Sequence, residues 1–213
     1  MTGTSVLQRR SLLLGLGGGL LVAGAAVTWK SLRRPPALPE GVASPPHPGA
    51  TRIDDARPLP DFRLDSPRGP LTRAWLQGRW TVLFFGYTHC PDVCPTALAL
   101  MADVNRQLER SQRPQVLFVS VDPQRDTTAL LAEYVPAFDP DFLGATGQDA
   151  DVAPLLRHLG AQFTRHPPSA SGFYTVDHTA GLFLIDPQTR LKAVFTPPHD
   201  SAAVLTDLRA WIQ

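Results

Sequence analysis

Cys90 and Cys94 are the only cysteines of a 213-residue chain, and three residues separate them in the stretch FFGYTHCPDVCPTAL, residues 84 to 98. Thiols at that spacing can form a disulfide, act as nucleophile and resolving partner, or supply half of a soft metal site. A purely structural bridge explains the pair poorly. Its loop would be very small, and the stabilisation a bridge gives by restricting the unfolded chain grows with loop length. A thiol/disulfide cycle or a metal ion remains. The spacing C-x-x-x-C departs from the C-x-x-C of common dithiol oxidoreductases. Pro91 suits the first position of a helix, where its missing N–H is no loss. A helical turn from there would put Cys94 one turn beyond Cys90 on the same face. At such a helix start, unpaired N–H groups and the positive dipole end lower a thiol pKa from about 8.5 and favour the thiolate. Thiolate is both the nucleophile and the metal ligand.

Two thiolates alone make a linear pair, so a fuller coordination shell needs another donor. His178, in GFYTVDHTAGLFLID, is the candidate, standing just ahead of an apolar run. Loops gather at the edge of an α/β sheet, so a loop before an antiparallel strand can meet one that follows a parallel strand. Taken alone, a histidine there can equally be a packed or surface residue.

The elements that would position these residues are readable in the hydrophobic pattern. WTVLFFGY (80 to 87) and QVLFVSVD (115 to 122) are nearly continuous apolar strands, the pattern of a sheet covered on both faces. Between them, residues 95 to 110 carry Ala97, Leu98, Met101, Val104 and Leu108 on one helical face, which makes a right-handed βαβ unit. Residues 127 to 135 and 151 to 160 read as helices, the second broken or started by Pro154, with a short strand at 142 to 146 between them. GLFLID (181 to 186) and LKAVFT (191 to 196), joined by the polar PQTR, predict an antiparallel hairpin. A last helix starts at Asp200 or Ser201 as N-cap and carries an apolar stripe at Val204, Leu208 and Trp211. The expected architecture is an α/β sandwich, βαβ first and a hairpin plus helix last.

Ahead of this domain, residues 11 to 29 hold no charge and are flanked by Arg9, Arg10, Lys30, Arg33 and Arg34. As a helix the run would be about 28 Å long, close to the hydrocarbon thickness of a bilayer. SVLQRRSLLLGL also reads as a twin-arginine export signal, with AGA at 23 to 25 as a cleavage site. Anchor and cleaved signal both deliver the remainder outside the cytoplasm, and with no cysteine nearby a lipoprotein anchor is not expected. Residues 1–34 are therefore assigned to a signal or membrane anchor, 35–57 to a linker and 58–213 to the globular domain. Eight prolines between 35 and 60 forbid regular helix or central strand and favour an extended tether. His47, inside it, is expected to be solvated. A net charge of only +1, with the charges scattered, gives no nucleic-acid surface.

FFGYTHCPDVCP, VSVDPQRDT and YTVDHTAGLFLIDP, in that order, resemble the three signatures of the SCO/SenC family of copper-binding assembly proteins, and the likeness runs from about Pro60 to the C-terminus. The resemblance implies a thioredoxin-like fold, a peroxiredoxin-like sandwich, binding one copper through Cys90, Cys94 and His178. It also implies a periplasmic or otherwise extracytoplasmic, membrane-tethered protein. That protein would take copper from an upstream periplasmic donor and help to build the binuclear copper centre of cytochrome c oxidase subunit II. Thr179 stands where serine is commoner in the family, and HPPSASGF before the last motif departs from it. Two thiolates and an imidazole suit Cu(I), and with an added oxygen ligand Cu(II); structural zinc usually takes four protein ligands.

Three neighbours are candidates to tune the site. His89 adjoins Cys90, although a strand-like chain would turn it away. Asp177 can orient His178 through the second ring nitrogen or cap a turn. Asp122 is read chiefly as the cap of the next helix, with Arg125 pairing to Asp126 or Asp92. Tyr87, Phe173 and Tyr174 are shields against water or simple packing; His158, His166 and His199 are surface residues. Besides copper chaperoning, the pair fits a thiol:disulfide reductase in which Cys90 attacks and Cys94 resolves. Peroxide reduction lacks the PxxxTxxC arrangement.

Overall fold

A computed structural model describes residues 49–54 and 57–212; the expected anchor, His47 and most of the expected tether lie outside them. Among the described residues no helix is long and apolar enough to cross a membrane. The strands, in chain order, are β1 (Thr51–Arg52), β2 (Arg63–Leu64), β3 (Leu71–Thr72), β4 (Thr81–Gly86), β5 (Gln115–Ser120), β6 (Leu143–Ala145), β7 (Phe163–Arg165), β8 (Val176–His178), β9 (Leu182–Ile185) and β10 (Leu191–Phe195). The helices are α1 (Val93–Gln107), α2 (Thr128–Tyr134), α3 (Asp149–Leu159) and α4 (Ser201–Trp211), with 3-10 turns at Arg73–Leu76 and Arg110–Gln112.

Six strands form a mixed sheet in the order β1-β10-β9-β4-β5-β6. β4, β5 and β6 are parallel neighbours. β9 runs antiparallel to both β4 and β10, and β1 closes the far edge against β10. Every residue of β4 and β5 is buried, as continuous apolar strands require when helices cover both faces. β10 alternates buried and half-buried residues, the pattern of a more peripheral strand. The expected βαβ unit, hairpin and closing helix are therefore present, with ends shifted by at most three residues. β2–β3 and β7–β8 are two-stranded pairs that the sequence pattern did not announce, because two or three residues cannot display a period.

Helix boundaries agree with expectation at the last helix and depart from it at two others. Asp200 caps α4 by accepting the Ala202 N–H. α3 starts at Asp149, five residues before Pro154, so the proline neither breaks nor starts it. A capping box between Gln148 and Asp151 fixes that start, and Gly160 in the left-handed conformation ends it. α1 begins at Val93 with Asp92 as N-cap, and Pro91 lies in the preceding turn, not at the first helical position. The chain is instead turned at the Cys90 N–H, which donates to the Tyr87 carbonyl at 3.2 Å.

Candidate metal centre

β4 delivers the chain to the site from the middle of the core. Its last residue, Gly86, has a specific reason to lack a side chain: a Cβ there would stand 2.7 Å from Cys94 Sγ and 2.6 Å from the Phe118 ring. From Gly86 the chain turns through Thr88 and His89, exposes Cys90 in part, and enters α1, whose second residue is Cys94. Cys94 is fully buried. On the other side β8 pairs with β7, matching His178 to Phe163, and carries the imidazole to the sulfurs. His178 thus sits at the end of a short strand, not in a loop ahead of β9.

The ligand atoms of Cys90, Cys94 and His178 all lie within 4.8 Å of one another. Cys94 Sγ is 3.4 Å from His178 Nε2. The other ring nitrogen, Nδ1, is 3.3 Å from the Thr179 carbonyl, which can only accept, so the proton of that contact belongs to Nδ1 and Nε2 is left for the sulfurs. The rings of Phe84 and Tyr87 each meet the imidazole edge-on with centroids 5.9 Å away, fixing its plane.

Both thiols are unbridged, and they share one proton unequally. The Cys94 thiol donates to Cys90, and the backbone N–H groups of Asp92 and Cys94 add to that. Together they outweigh burial and bring the Cys90 pKa down to about 4. Hydrogen bonding to Cys90 and burial push Cys94 upward. The helix start therefore serves the sulfur that precedes it: Cys90 lies outside α1 and receives its free N–H groups. Without an ion the arrangement is thiolate beside thiol; an incoming soft cation would displace the Cys94 proton and find two sulfurs and one nitrogen. A groove of about 430 Å³, lined by Tyr87, Cys90, Val93, Val176, His178 and Ala180 among others, opens onto Cys90 and His178, with Cys94 buried behind them.

None of the three residues singled out around this group hydrogen-bonds to Cys90, Cys94 or His178. His89 Nδ1 contacts the Thr88 hydroxyl at 3.0 Å and stands 3.9 Å from Asp126, with the side chain half exposed. Asp177 does not orient His178: strand alternation sends it to the other face of β8, where it meets His166 Nε2 at 2.8 Å. Asp122 caps no helix, since Thr127 takes that role through the Leu130 N–H. Its buried carboxylate instead accepts from Arg125 Nε and, at 2.7 Å, from the Tyr174 hydroxyl. Arg125 pairs with Asp122, not with Asp126 or Asp92. Among the residues read as surface, His166 is exposed, whereas His199 is half-buried with Nε2 at 2.9 Å from the Ala180 carbonyl, and burial lowers its pKa.

Two residues on the approaches have roles that sequence reasoning missed. Asp126, buried, accepts the Thr88 N–H at 3.0 Å, the Thr88 hydroxyl at 2.6 Å and the Ser120 hydroxyl at 2.6 Å. Tyr87 accepts the Val176 N–H at 3.3 Å, joining the turn before Cys90 to the strand of His178. Only the RDT of VSVDPQRDT hinted at the first, and its partner is 38 residues away.

The SCO1/SenC family model matches residues 51–213. A mitochondrial SCO2 homolog of Bos taurus is 40% identical over 151 residues, 69% of this chain and 56% of that protein, so the chain spans little more than half of that relative. The solution structure of apo Sco1 from Thermus thermophilus superposes with a TM-score of 0.69 at 37% identity, covering 76% of this chain and 95% of that one. Bradyrhizobium japonicum ScoI with copper bound does so with a TM-score of 0.65 at 34% identity, over 73% of this chain and 99% of that one.

Proposed function

The chain belongs to the SCO1/SenC family, and on that premise we propose that it is a copper chaperone whose cargo is held by Cys90, Cys94 and His178. The observation that carries this reading is the convergence of two sulfurs and one imidazole nitrogen within 4.8 Å, reached from positions 84 residues apart. Two thiolates and an imidazole are soft enough for Cu(I), and the set takes Cu(II) when an oxygen ligand is added. A structure with copper bound, that of Bradyrhizobium japonicum ScoI, supports the choice of metal.

In this reading the Cys90 thiolate meets copper first, because it is ionised and partly exposed. Cys94 then gives up its proton, and His178 closes the set from β8. Three protein donors leave a position at which a donor from an acceptor can bind before the chaperone's own ligands leave. We assign the acceptor to the binuclear copper site of cytochrome c oxidase subunit II, copper being supplied by an upstream periplasmic donor. Residues 1–34 would export or anchor the chain and the proline-rich stretch after them tether it; Thr51 and Arg52, inside the expected 35–57 linker, already pair with β10, so the domain that carries the site at the outer face of the membrane starts ahead of the expected 58.

A specific observation also favours a thiol:disulfide reductase that keeps acceptor cysteines reduced. Cys90 is unbridged and partly exposed, with a second free thiol, Cys94, buried one turn away, which suits attack followed by resolution. Replacing His178 separates the two. In His178→Ala, Cu(I) and Cu(II) affinity should collapse while dithiol exchange with a small disulfide survives. Copper bound as tightly as by the parent chain would remove His178 from the site.

A further inference from the structure

The segment Ser120–Asp126 touches neither sulfur in the hydrogen bonds described above, yet consecutive residues of it reach toward opposite halves of the metal centre. Asp126 faces the cysteine side: both carboxylate oxygens are engaged by Thr88, two residues before Cys90, and one of them also by Ser120. Arg125 faces the histidine side. Its Nη1 donates to the Tyr174 carbonyl at 3.0 Å, and its guanidinium carbon lies 3.6 Å from the centroid of the Tyr174 ring. Its Nε is held by Asp122, which also accepts from the Tyr174 hydroxyl. One arginine and one aspartate therefore grip Tyr174, four residues before His178, at carbonyl, ring face and hydroxyl. The same guanidinium lies 5.5 Å from the Tyr87 ring, which meets the His178 imidazole edge-on.

The β7–β8 ladder and the Val176 N–H to the Tyr87 hydroxyl hold β8 itself; the grip on Tyr174 holds the chain just ahead of it. From His166 to Thr175 the chain is exposed or half-buried, and Val176 is the one buried residue of the following strand. Burial alone does not fix where β8 puts the imidazole, so polar contacts, the grip on Tyr174 among them, share that task. Asp122 and Asp126 are both fully buried, and one turn fixes them together, the Asp126 N–H donating to the Asp122 carbonyl at 2.9 Å.

Building on the copper-site reading, we infer that Arg125 and Asp126 are positioning residues for the metal centre: Asp126 sets Cys90 through Thr88, and Arg125 sets His178 through Tyr174. Neither contacts the ion. Their adjacency makes the distance between the sulfurs and the imidazole a property of this one turn.

The test uses the full chain with Arg125→Met, Arg125→Lys and Asp126→Asn. Arg190→Met serves as control, removing an arginine–aspartate pair (with Asp186) at the β9–β10 turn. Copper affinity by chelator competition should fall roughly 10- to 100-fold in Arg125→Met, the usual range for residues that orient ligands. It should fall less in Arg125→Lys, which keeps the charge but not the planar fork, and stay at the parent value in Arg190→Met. The Cu(II) spectra should divide the roles. Arg125→Met loses the imidazole nitrogen hyperfine while the sulfur charge-transfer band persists, and Asp126→Asn weakens the sulfur band while the nitrogen signature stays. Hydrogen exchange of the copper-free chain at residues 173 to 178 should quicken in Arg125→Met alone. A purely structural role would lower both spectral signatures together, in step with thermal stability, and would overturn the inference, as would parent-like affinity and exchange. If the parent chain binds no copper, the reading of the site falls by itself, and exchange at 173 to 178 still decides the grip: faster in Arg125→Met supports it, unchanged ends it.

Discussion

The two halves of the metal centre are built by opposite means. The cysteine half grows out of β4, every residue of which is buried, and runs into α1, whose inner face carries Cys94, Ala97, Leu98 and Met101 into the same core. The histidine half is a three-residue strand at the end of a mostly exposed excursion, held by hydrogen bonds and aromatic edges. Where packing places a ligand, disturbing the ligand disturbs the fold. Where polar contacts place it, site and fold separate.

Experiments on either half can break or sharpen this contrast. The largest effect is expected for Cys94→Ala. It should cost more copper affinity than the roughly 10- to 100-fold typical of residues outside a ligand set, and also destabilise the domain by about 1–2 kcal/mol, because a fully buried sulfur leaves a void. Chelator competition and thermal melts measure the two; loss of affinity with no loss of stability would contradict the idea that packing places this ligand. Next is Gly86→Ala. Its Cβ falls 2.7 Å from Cys94 Sγ, so overpacking should cost about 1–3 kcal/mol and weaken copper binding through displacement of the sulfur; an unchanged melting temperature would show that the core yields there.

A third test concerns acid. With its folded-state value down at about 4, below the 9.0 of an ordinary thiol, Cys90 contributes stability that is complete above about pH 9, shrinks steadily as pH falls and is gone below about 4. Alkylation of Cys90 in the metal-free chain should accordingly stay nearly flat from pH 8 to about pH 5 and fall below that, with Cys94 unlabelled throughout. A midpoint above pH 7 would mean that Cys94 does not stabilise the thiolate. The smallest effect is expected on the histidine side for Asp177→Asn. Its carboxylate is largely exposed and meets only His166, so stability should move by less than about 0.5 kcal/mol and copper affinity should hold within twofold. A tenfold loss would return Asp177 to the site.

The same contrast explains what the amino-acid order disclosed. β4, α1 and β5 were legible because long apolar runs and a helical stripe are periodic over many residues, and the Cys90–Cys94 pair stands inside that region. His178 was legible as a candidate only through its residue type and its place before an apolar run. The strand that carries it has three residues, too few to show a period. Asp177 was misread because adjacency in the chain suggests adjacency in space, whereas alternation along a strand puts neighbours on opposite faces. Pro91 was misread as a helix start because the turn that bonds the Cys90 N–H to the Tyr87 carbonyl defers the helix to Val93. Asp126 and Arg125 were hidden by distance: their partners lie 38 and 49 residues away, and no local pattern encodes such a pairing.

The outer strands of the six-stranded sheet, β1 and β6, are two and three residues long. Rows of free peptide groups so brief give an extended foreign segment almost nothing to zip onto, which guards the sheet against edge-to-edge aggregation. Recognition by strand addition is equally poorly served. The main sheet is thus shaped to be read through its side chains rather than through backbone register.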